Sequence, residues 1–390
     1  MSLFLDPLFA SIAIGHFMVD TFNASRPVLL TFLGMRESEI ALISTIYIWA
    51  SALSQPLLGW LSDRIGPRWL AAGGVLWMAG FFSAAVLIPG SLGLVCLIIA
   101  ALGSGAYHPV GTVQATLQGR DRLKGRETTA ASLFFMAGQS GWSLGPIITG
   151  LILVHLGLHG LIILPIISIP IVASLAWQLR SNPAHPKSDH DRGSFKLKTG
   201  IGFVFILAVV ATMQSWAQTN MVNLMPKYLA DLGQSPAVYG GMAGLFMGGS
   251  ALGNVLGGHL GDRFPKRLVA AGGLFLAAFP IYIASRLGWS SWLYLLIPLA
   301  GAMTGSVHSI MVVLAQRLIP GSMALASGLV LGFIFSAGAL GLLYTGGVAE
   351  TQGFPLVLLM TTGMVLIAAP LALLLKEDGM NLEPEFIRPE

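Results

Sequence analysis

Residues 59–68 read Gly-Trp-Leu-Ser-Asp-Arg-Ile-Gly-Pro-Arg, and residues 258–267 repeat the pattern as Gly-His-Leu-Gly-Asp-Arg-Phe-Pro-Lys-Arg. Each stretch lies between two long apolar segments. The same offset, to within one residue, aligns three further pairs of polar residues: Asp20 with Asn220, Asn23 with Asn223, and His108 with His308. Self-similarity at a fixed offset indicates that the chain consists of two parallel repeats.

The composition around these stretches is that of a membrane protein. Of the 390 residues, 55% are hydrophobic and 10% are charged, whereas a typical soluble domain has about 25% charged residues. Apolar segments of about 20 residues, long enough to cross a bilayer as a helix, recur along the chain. This pattern excludes a soluble enzyme and a disordered chain, and the single cysteine excludes a disulfide scaffold. We predict an all-α membrane protein with twelve transmembrane helices at residues 8–32, 39–61, 69–90, 93–118, 128–154, 158–179, 200–228, 236–260, 268–288, 292–317, 323–348 and 353–375.

The distribution of basic residues predicts the orientation. Of the 21 lysines and arginines, 17 fall on one side of the predicted membrane, and an excess of such residues marks cytoplasmic loops. We therefore predict a multi-pass protein of the plasma (inner) membrane with both termini in the cytoplasm. The predicted parts are an N-terminal six-helix half (1–180), a cytoplasmic linker (181–199), a C-terminal six-helix half (200–376) and a cytoplasmic tail (377–390).

The stretch at residues 59–68 resembles the signature between the second and third spans of the major facilitator superfamily, Gly-x-Leu-x-Asp-Arg-x-Gly-x-Arg. Its second copy follows span 8, where Phe264-Pro265 replaces the glycine. The resemblance implies twelve transmembrane helices in two parallel six-helix pseudo-repeats. Transporters built from such repeats bind substrate near the middle of the bilayer, between the halves.

A narrower resemblance is to the fosmidomycin-resistance family of bacterial efflux proteins. It rests on Gly15-His16-Phe17 with Asp20, Gln55-Pro56, Tyr107-His108-Pro109-x-Gly111, Gly145-Pro146 and Pro226-Lys227-Tyr228-Leu229. The resemblance implies proton-driven export of small toxic compounds from the cytoplasm. Many drug/proton antiporters of the superfamily carry an arginine in span 4, and this chain has none there. Any role of that arginine is therefore absent or borne by His108.

Asp20 is the one acidic residue deep within a predicted span. An ionisable group at that depth normally faces a polar interior, and His16 and Asn23 fall on the same side of the helix at 100° per residue. We predict that this face lines the cavity between the halves and that Asp20 and His108 carry protons. The sequence suggests no intramembrane basic partner for Asp20. The alternatives are a bonded structural role for Asp20, and for His108 a hydrogen bond that supports a bend at Pro109.

Further polar residues within the spans are candidate substrate contacts. For His16 and His308 a packing role is the favoured alternative, and for Asn220 the two interpretations are balanced. The predicted substrate-binding residues are His16, Asn23, Arg26, Gln114, Gln139, Asn220, Asn223, Lys227 and His308.

Arg26 and Lys227 form a related pair, because each lies beside a proline near the outer end of its span. If both line the pathway, they make its outer half positive and favour an anionic or zwitterionic substrate, such as a phosphonate or a carboxylate. The alternative, equally weighted, is that both side chains extend to the outer lipid head groups.

The loop signature predicts a conformational latch. Asp63 can accept hydrogen bonds from the exposed amides of a helix N-terminus across the interface between the halves. The alternative is positive-inside charge plus a tight turn at Gly66-Pro67, which leaves the aspartate unexplained. The predicted latch residues are Gly59, Asp63, Arg64 and Arg68, with Asp262 and Arg263 in the second copy.

Span 5 has a small residue at every third or fourth position, which lets helices pack backbone to backbone. Gly141, Gly145, Pro146 and Gly150 fit the Gly-x3-Gly-Pro element that the superfamily resemblance associates with antiporters. Close packing alone also explains these glycines.

These features predict a proton-coupled secondary transporter that exports small amphiphilic or anionic compounds by alternating access. Its predicted partners are a small-molecule substrate, protons and the lipid bilayer, without nucleic acid, cofactor or metal, and as a monomer. The alternatives are a proton-coupled importer of an organic anion and a lipid transporter. A distant alternative is an intramembrane metal-dependent enzyme built on His16, Asp20, His108 and His308, which lack a close metal-ligand spacing. A sensor or receptor without transport activity is a further alternative, but the polar segments 181–199 and 376–390 are too short for a signalling domain.

Overall fold

The computed structural model describes residues 5–122, 127–181, 201–316 and 323–375, and these residues are almost entirely helical. The helices are α1 (Pro7–Phe32), α2 (Glu37–Ile65), α3 (Pro67–Leu87), α4 (Ser91–Arg122), α5 (Glu127–Gly160), α6 (Ile163–Gln178), α7 (Ile201–Asp231), α8 (Pro236–Arg263), α9 (Lys266–Leu287), α10 (Leu293–Gly305), α11 (His308–Gln316), α12 (Met323–Gln352) and α13 (Phe354–Leu373). Apart from Ser181, the predicted linker lies outside the described residues, as does the predicted tail at 377–390. The division into halves, linker and tail stays a prediction.

The all-α membrane fold with twelve spans is confirmed, with two local differences. The tenth span consists of α10 and α11, which are separated by a turn at Ser306 and Val307. The fifth span ends at a kink, because Gly157 has a φ of 64°, a left-handed conformation that glycine tolerates best. Among the described residues, nine helical segments are long and apolar enough to cross a membrane.

Local sequence signals explain where several helices begin. The Asp6 carboxylate accepts hydrogen bonds from the backbone N–H groups of Leu8 and Phe9, at 3.1 and 3.0 Å, and so caps α1. Gly66 has a φ of 93° and separates α2 from α3, and Pro67 begins α3 at the position where a missing N–H costs nothing. The tight turn of the loop signature is therefore formed.

The helices pack in corresponding pairs in the two repeats. Within the halves, α3 packs on α4 as α9 packs on α10, and α1 packs on α5 as α7 packs on α12. Between the halves, α2 contacts α12 and α5 contacts α8. Under the offset of the repeat, α2 corresponds to α8 and α5 to α12. The two contacts between the halves are thus symmetry equivalents.

We call the two ends of the bundle inner and outer, after the sides that the basic residues predict. Polar contacts between the halves lie towards the outer end. At that end Arg36 forms an ion pair with Glu350 at 2.9 Å. Deeper in, the Thr45 hydroxyl donates to the Ala339 carbonyl at 2.8 Å. The halves are therefore in contact over the outer part of α2 and α12.

Candidate functional site: a buried cluster of two histidines and an aspartate

Three ionisable side chains meet inside the N-terminal half. His16 Nε2 lies 3.2 Å from Asp20 Oδ2, and His108 Nε2 lies 3.5 Å from Asp20 Oδ1. The side chains of His16 and Asp20 are 3% and 6% exposed, while that of His108 is 23% exposed. His108 is thus the least buried member of the cluster.

The local sequence accounts for this geometry. His16 and Asp20 are four residues apart on α1, so one lies above the other on the same face. His108 enters from α4. On α5, a Cβ at Gly138 would lie 2.6 Å from Asp20 Oδ2, so only glycine leaves space for the cluster.

The structure corrects two expectations about Asp20. Two basic partners contact it, although the sequence suggested none. Asp20 is also buried, since the whole residue is 4% exposed, so in this conformation the half-buried His108, and not Asp20, is the most exposed member of the cluster.

Both imidazole rings are held by backbone carbonyl groups. His16 Nδ1 is 2.8 Å from the Phe134 carbonyl oxygen, and His108 Nδ1 is 2.8 Å from the Ser104 carbonyl oxygen. The His16 ring also stacks on the Phe134 ring, with 4.0 Å between centroids. These contacts orient each ring so that Nε2 points to the carboxylate. The three donor groups lie within 4.8 Å of one another, a spacing that could also hold a divalent cation, and the prediction of no metal stays untested.

A chain of polar groups extends from Asp20 towards the outer end. Asn23 Nδ2 donates to Asp20 Oδ1 at 3.0 Å and to the Ser104 hydroxyl at 3.1 Å. The Tyr47 hydroxyl donates to Asn23 Oδ1 at 2.8 Å. Asn23, predicted as a substrate contact, therefore connects the cluster to α2.

Arg26 continues this chain to the other half. Its guanidinium lies 4.5 Å from the centre of the Tyr47 ring, donates to the Ser44 hydroxyl at 3.2 Å and donates to Asn223 Oδ1 at 2.8 Å. Arg26 is 1% exposed, so the alternative that it extends to lipid head groups is wrong in this conformation. Within the described residues, the guanidinium has no carboxylate partner.

Two further candidates from the sequence, Asn220 and Lys227, lie apart from the cluster. Asn220 bonds within the C-terminal half, accepting from the Thr345 hydroxyl at 2.6 Å and donating to the Thr361 hydroxyl at 3.1 Å. Lys227 pairs with Asp231 at the outer end of α7, so its charge is neutralised.

The other three candidates differ in their surroundings. Gln114 is buried on α4. Gln139 has a buried side-chain oxygen for which the described residues provide no hydrogen-bond donor. His308 lies near Phe335, with 6.4 Å between ring centroids. No contact described for Gln139 or His308 brings these two side chains to the cluster.

The latch residues lie at the inner end and are not joined to the other half by any described contact. Arg64 lies over the Trp60 ring at 3.8 Å, and Arg68 over the Trp69 ring at 5.0 Å. Asp63 has no hydrogen-bond partner among the described residues. Asp262 and Arg263 are exposed. Gly59, on α2, faces Pro109 of α4. The latch stays a prediction that concerns another conformation.

The glycines of α5 pack against two different helices. A Cβ at Gly141 or Gly145 would meet backbone atoms of α1, whereas a Cβ at Gly150 would meet the Pro236 backbone at the start of α8. Pro146 faces Gly240 of α8. The motif therefore joins α5 both to the helix that carries Asp20 and to the other half.

Comparison with known proteins identifies the family. The family model described as Major Facilitator Superfamily matches residues 8–215 and 204–386. The chain belongs to the major facilitator superfamily. As a major facilitator protein it is a membrane transporter and not an enzyme, which confirms that prediction and excludes the alternative of an intramembrane enzyme.

Two curated relatives match most of this major facilitator chain. The fosmidomycin resistance protein of Escherichia coli (strain K12) is 28% identical over 368 residues, which cover 90% of this chain and 88% of the relative. The uncharacterized MFS-type transporter YfnC of Bacillus subtilis (strain 168) is 27% identical over 366 residues, which cover 89% and 87%. The resemblance to the fosmidomycin-resistance family is confirmed by the first of these.

Solved structures of other major facilitator proteins have the same fold. A bacterial homolog of the human lysosomal transporter Spinster, in an inward-facing and occupied conformation, matches with a TM-score of 0.73 and 15% identity, covering 95% of this chain and 97% of that one. A D-xylose-proton symporter matches with a TM-score of 0.71 and 16% identity, covering 94% and 96%. At these identities the likeness shows the fold alone.

Proposed function

We propose that this transporter exports small amphiphilic or anionic compounds from the bacterial cytoplasm across the inner membrane in exchange for protons. The observation that carries the proposal is the His16–Asp20–His108 cluster, which places a carboxylate and two imidazoles in contact within a membrane-spanning half. Both group types change charge by binding a proton. Because burying such groups in a membrane is costly, their presence favours a role in proton transfer over a purely structural one.

The chain of contacts from Asp20 to Asn223 supports a route from proton binding to movement of the halves. A proton on the cluster changes the charge beside Asn23. Asn23 accepts a hydrogen bond from the Tyr47 hydroxyl, and the Arg26 guanidinium packs over the Tyr47 ring. Arg26 in turn contacts the other half through Asn223. Protonation and substrate binding would then stabilise different arrangements of the halves, as alternating access requires.

Arg26 supports an anionic substrate class. A buried guanidinium with no acidic partner among the described residues has hydrogen-bond donors and charge available for a carboxylate or phosphonate. The name of the E. coli relative makes fosmidomycin the first compound to test.

The proposal is tested with purified protein in liposomes. An imposed pH gradient, acidic on the side opposite the substrate, is expected to drive fosmidomycin against its concentration gradient if exchange is the mechanism. Movement of fosmidomycin together with protons, from the acidic side to the alkaline side, would support the importer alternative instead. A drug-susceptibility panel in a host without its own efflux pumps gives the substrate range. If the transporter protects the host against none of the compounds, the export proposal is contradicted.

Substitutions of Arg26 and Lys227 are expected to affect the preference for anionic over neutral substrates differently. Arg26→Ala is expected to weaken transport of anionic compounds by about 10- to 150-fold relative to neutral ones, because a hydrogen bond to a charged group contributes about 1.5–3 kcal/mol. Lys227→Ala is the matched control and is expected to change both classes alike, because Asp231 neutralises this lysine. Apparent affinities for anionic and neutral substrates measure the difference. Equal losses for both classes in Arg26→Ala would contradict the role of its charge.

A further inference from the structure

We infer that His16, Asp20 and His108 together bind one divalent transition-metal ion, such as Zn²⁺. The inference goes beyond proton exchange, because it adds a metal ion to the chemistry of the cluster. In the part of the chain that the structure describes, these three side chains form the one group of histidine, cysteine, aspartate or glutamate residues whose donor atoms all lie within 4.8 Å of one another. The sequence predicted no metal because the third side chain comes from a different helix.

The spacing of the donor atoms fits the coordination sphere of such an ion. Zn²⁺ binds imidazole nitrogen and carboxylate oxygen at about 2.0–2.2 Å, usually in a tetrahedron, which places neighbouring donor atoms about 3.3–3.6 Å apart. In the cluster, His16 Nε2 is 3.2 Å from Asp20 Oδ2, and His108 Nε2 is 3.5 Å from Asp20 Oδ1. Small shifts of the side chains therefore suffice to close the three ligands around one ion. Three protein ligands leave a fourth position for water or for a substrate oxygen.

The two rings are held in the way that metal-binding histidines are held. A histidine ligand normally donates its second ring N–H to a backbone carbonyl, a carboxylate or water, which fixes the ring. His16 Nδ1 is 2.8 Å from the Phe134 carbonyl oxygen, which only accepts hydrogen bonds, so the Nε2 of the neutral ring has a lone pair that can bind a metal. His108 Nδ1 lies 2.8 Å from the carbonyl oxygen and 3.2 Å from the hydroxyl oxygen of Ser104. Both rings are thus fixed with Nε2 towards Asp20.

The surroundings of the carboxylate also fit a metal site. Asn23 Nδ2 donates to Asp20 Oδ1 at 3.0 Å, and carboxylates that bind metals are themselves hydrogen-bonded. On α5, a Cβ at Gly138 would lie 2.6 Å from both His16 Nε2 and Asp20 Oδ2. A side chain at this position would fill the space beside the two atoms that bind the ion, and glycine leaves that space.

The set of donor atoms selects the class of ion. Two imidazole nitrogens and a carboxylate suit Zn²⁺, Fe²⁺, Co²⁺ and Ni²⁺, whereas Mg²⁺ and Ca²⁺ take oxygen ligands. The side chains of His16 and Asp20 are 3% and 6% exposed, and a buried charge is costly unless it is paired or coordinates a metal. A divalent ion satisfies the carboxylate and both nitrogens at once.

The test is isothermal titration calorimetry with ZnCl₂ on the full-length protein in lipid nanodiscs, after EDTA treatment and without a histidine affinity tag. His155 and His159 are replaced by glutamine throughout, because both are exposed and would add surface binding. We expect one strong site per chain for Zn²⁺ and none for Mg²⁺. His16→Gln and His108→Gln are each expected to weaken Zn²⁺ binding by at least about 100-fold, since even the loss of an outer-shell partner costs about 10- to 100-fold. His308→Gln, in the other half, is the matched control and is expected to keep the full affinity for Zn²⁺.

X-ray absorption spectroscopy of the zinc-loaded protein identifies the ligands without any substitution in the cluster, so it does not depend on the folding of a variant. We expect nitrogen and oxygen atoms at about 2.0–2.1 Å from the zinc, with the scattering of two imidazole rings. Fewer than two rings, the absence of strong binding, or full affinity in both glutamine variants of the cluster would overturn the inference.

A transport measurement separates failure of this inference from failure of the proposed function. Bound Zn²⁺ occupies the atoms to which the proposed function assigns the proton, so it is expected to inhibit proton-driven transport in liposomes, and EDTA is expected to restore transport. Binding without inhibition would support the metal site and contradict proton coupling at this cluster. Absence of binding, in a protein that still responds to a pH gradient, would overturn the metal site and leave the proposed function intact.

Discussion

Asp20→Asn is expected to abolish transport driven by a pH gradient, down to the level of liposomes without protein, while the protein still inserts and folds. Asparagine has nearly the volume of aspartate and keeps an oxygen for one histidine and for Asn23. It cannot pair with a protonated imidazole, because it has no charge. The transporter would then lack the group whose protonation couples the proton gradient to transport.

Two measurements separate coupling from folding in Asp20→Asn. Exchange of labelled for unlabelled substrate without a pH gradient is expected to persist, and the protein is expected to elute as a single species in size-exclusion chromatography. Asp231→Asn, at the outer end of α7, is the matched control and is expected to retain proton-driven transport. If Asp20→Asn aggregates but its folded fraction still couples fully, the structural role of Asp20 considered from the sequence is the correct one.

The sequence predicted the architecture because membrane spans depend on local composition and on a repeat visible in the residues themselves. The sequence did not predict the interruption of the helix at Ser306 and Val307, because both residues are compatible with a helix. Only the packing of α8 against α10 sets this position apart from the rest of the span. A Cβ at Gly257 would meet the Ser306 backbone there. Such close approach depends on the partner helix, which one segment of sequence does not identify.

The sequence predicted only part of the site, because it does not identify the partner of a helix face. Periodicity places His16, Asp20 and Asn23 on one face of α1, but it does not show what that face contacts. Tyr47 was missed because an isolated tyrosine in an apolar span is typical of packing, and its role appears only from the hydrogen bond to Asn23. For Arg26 the sequence left two interpretations equally weighted, contact with lipid head groups and a place in the transport pathway. Only the burial of Arg26 between the halves decides against lipid contact. The offset of the repeat, which pairs Asn23 with Asn223, was the available signal that these faces meet.

Gly240→Leu is expected to open the outer contact between the halves and to reduce transport by about 5- to 150-fold. A Cβ at Gly240 would lie 3.2 Å from the Gly150 Cα and would also meet the Pro146 carbonyl, and backbone atoms cannot rotate away as a side chain can. Overpacking at such a site costs about 1–3 kcal/mol. This cost falls only on conformations in which α5 and α8 touch at the outer end, so the equilibrium between conformations shifts by the corresponding factor.

Gly241→Leu is the matched control, because Gly241 is the next residue on α8 and a Cβ there meets no atom within 4 Å. Both substitutions raise helix propensity equally, so any difference between them arises from the contact with α5. Spin labels at Leu33→Cys and Leu232→Cys, in a Cys96→Ala background, report the distance across the outer end. We expect a longer distance in Gly240→Leu and an unchanged one in Gly241→Leu. If Gly240→Leu transports normally with an unchanged distance, the contact between α5 and α8 does not need to close tightly for the halves to exchange, and the glycines of α5 serve only the packing against α1.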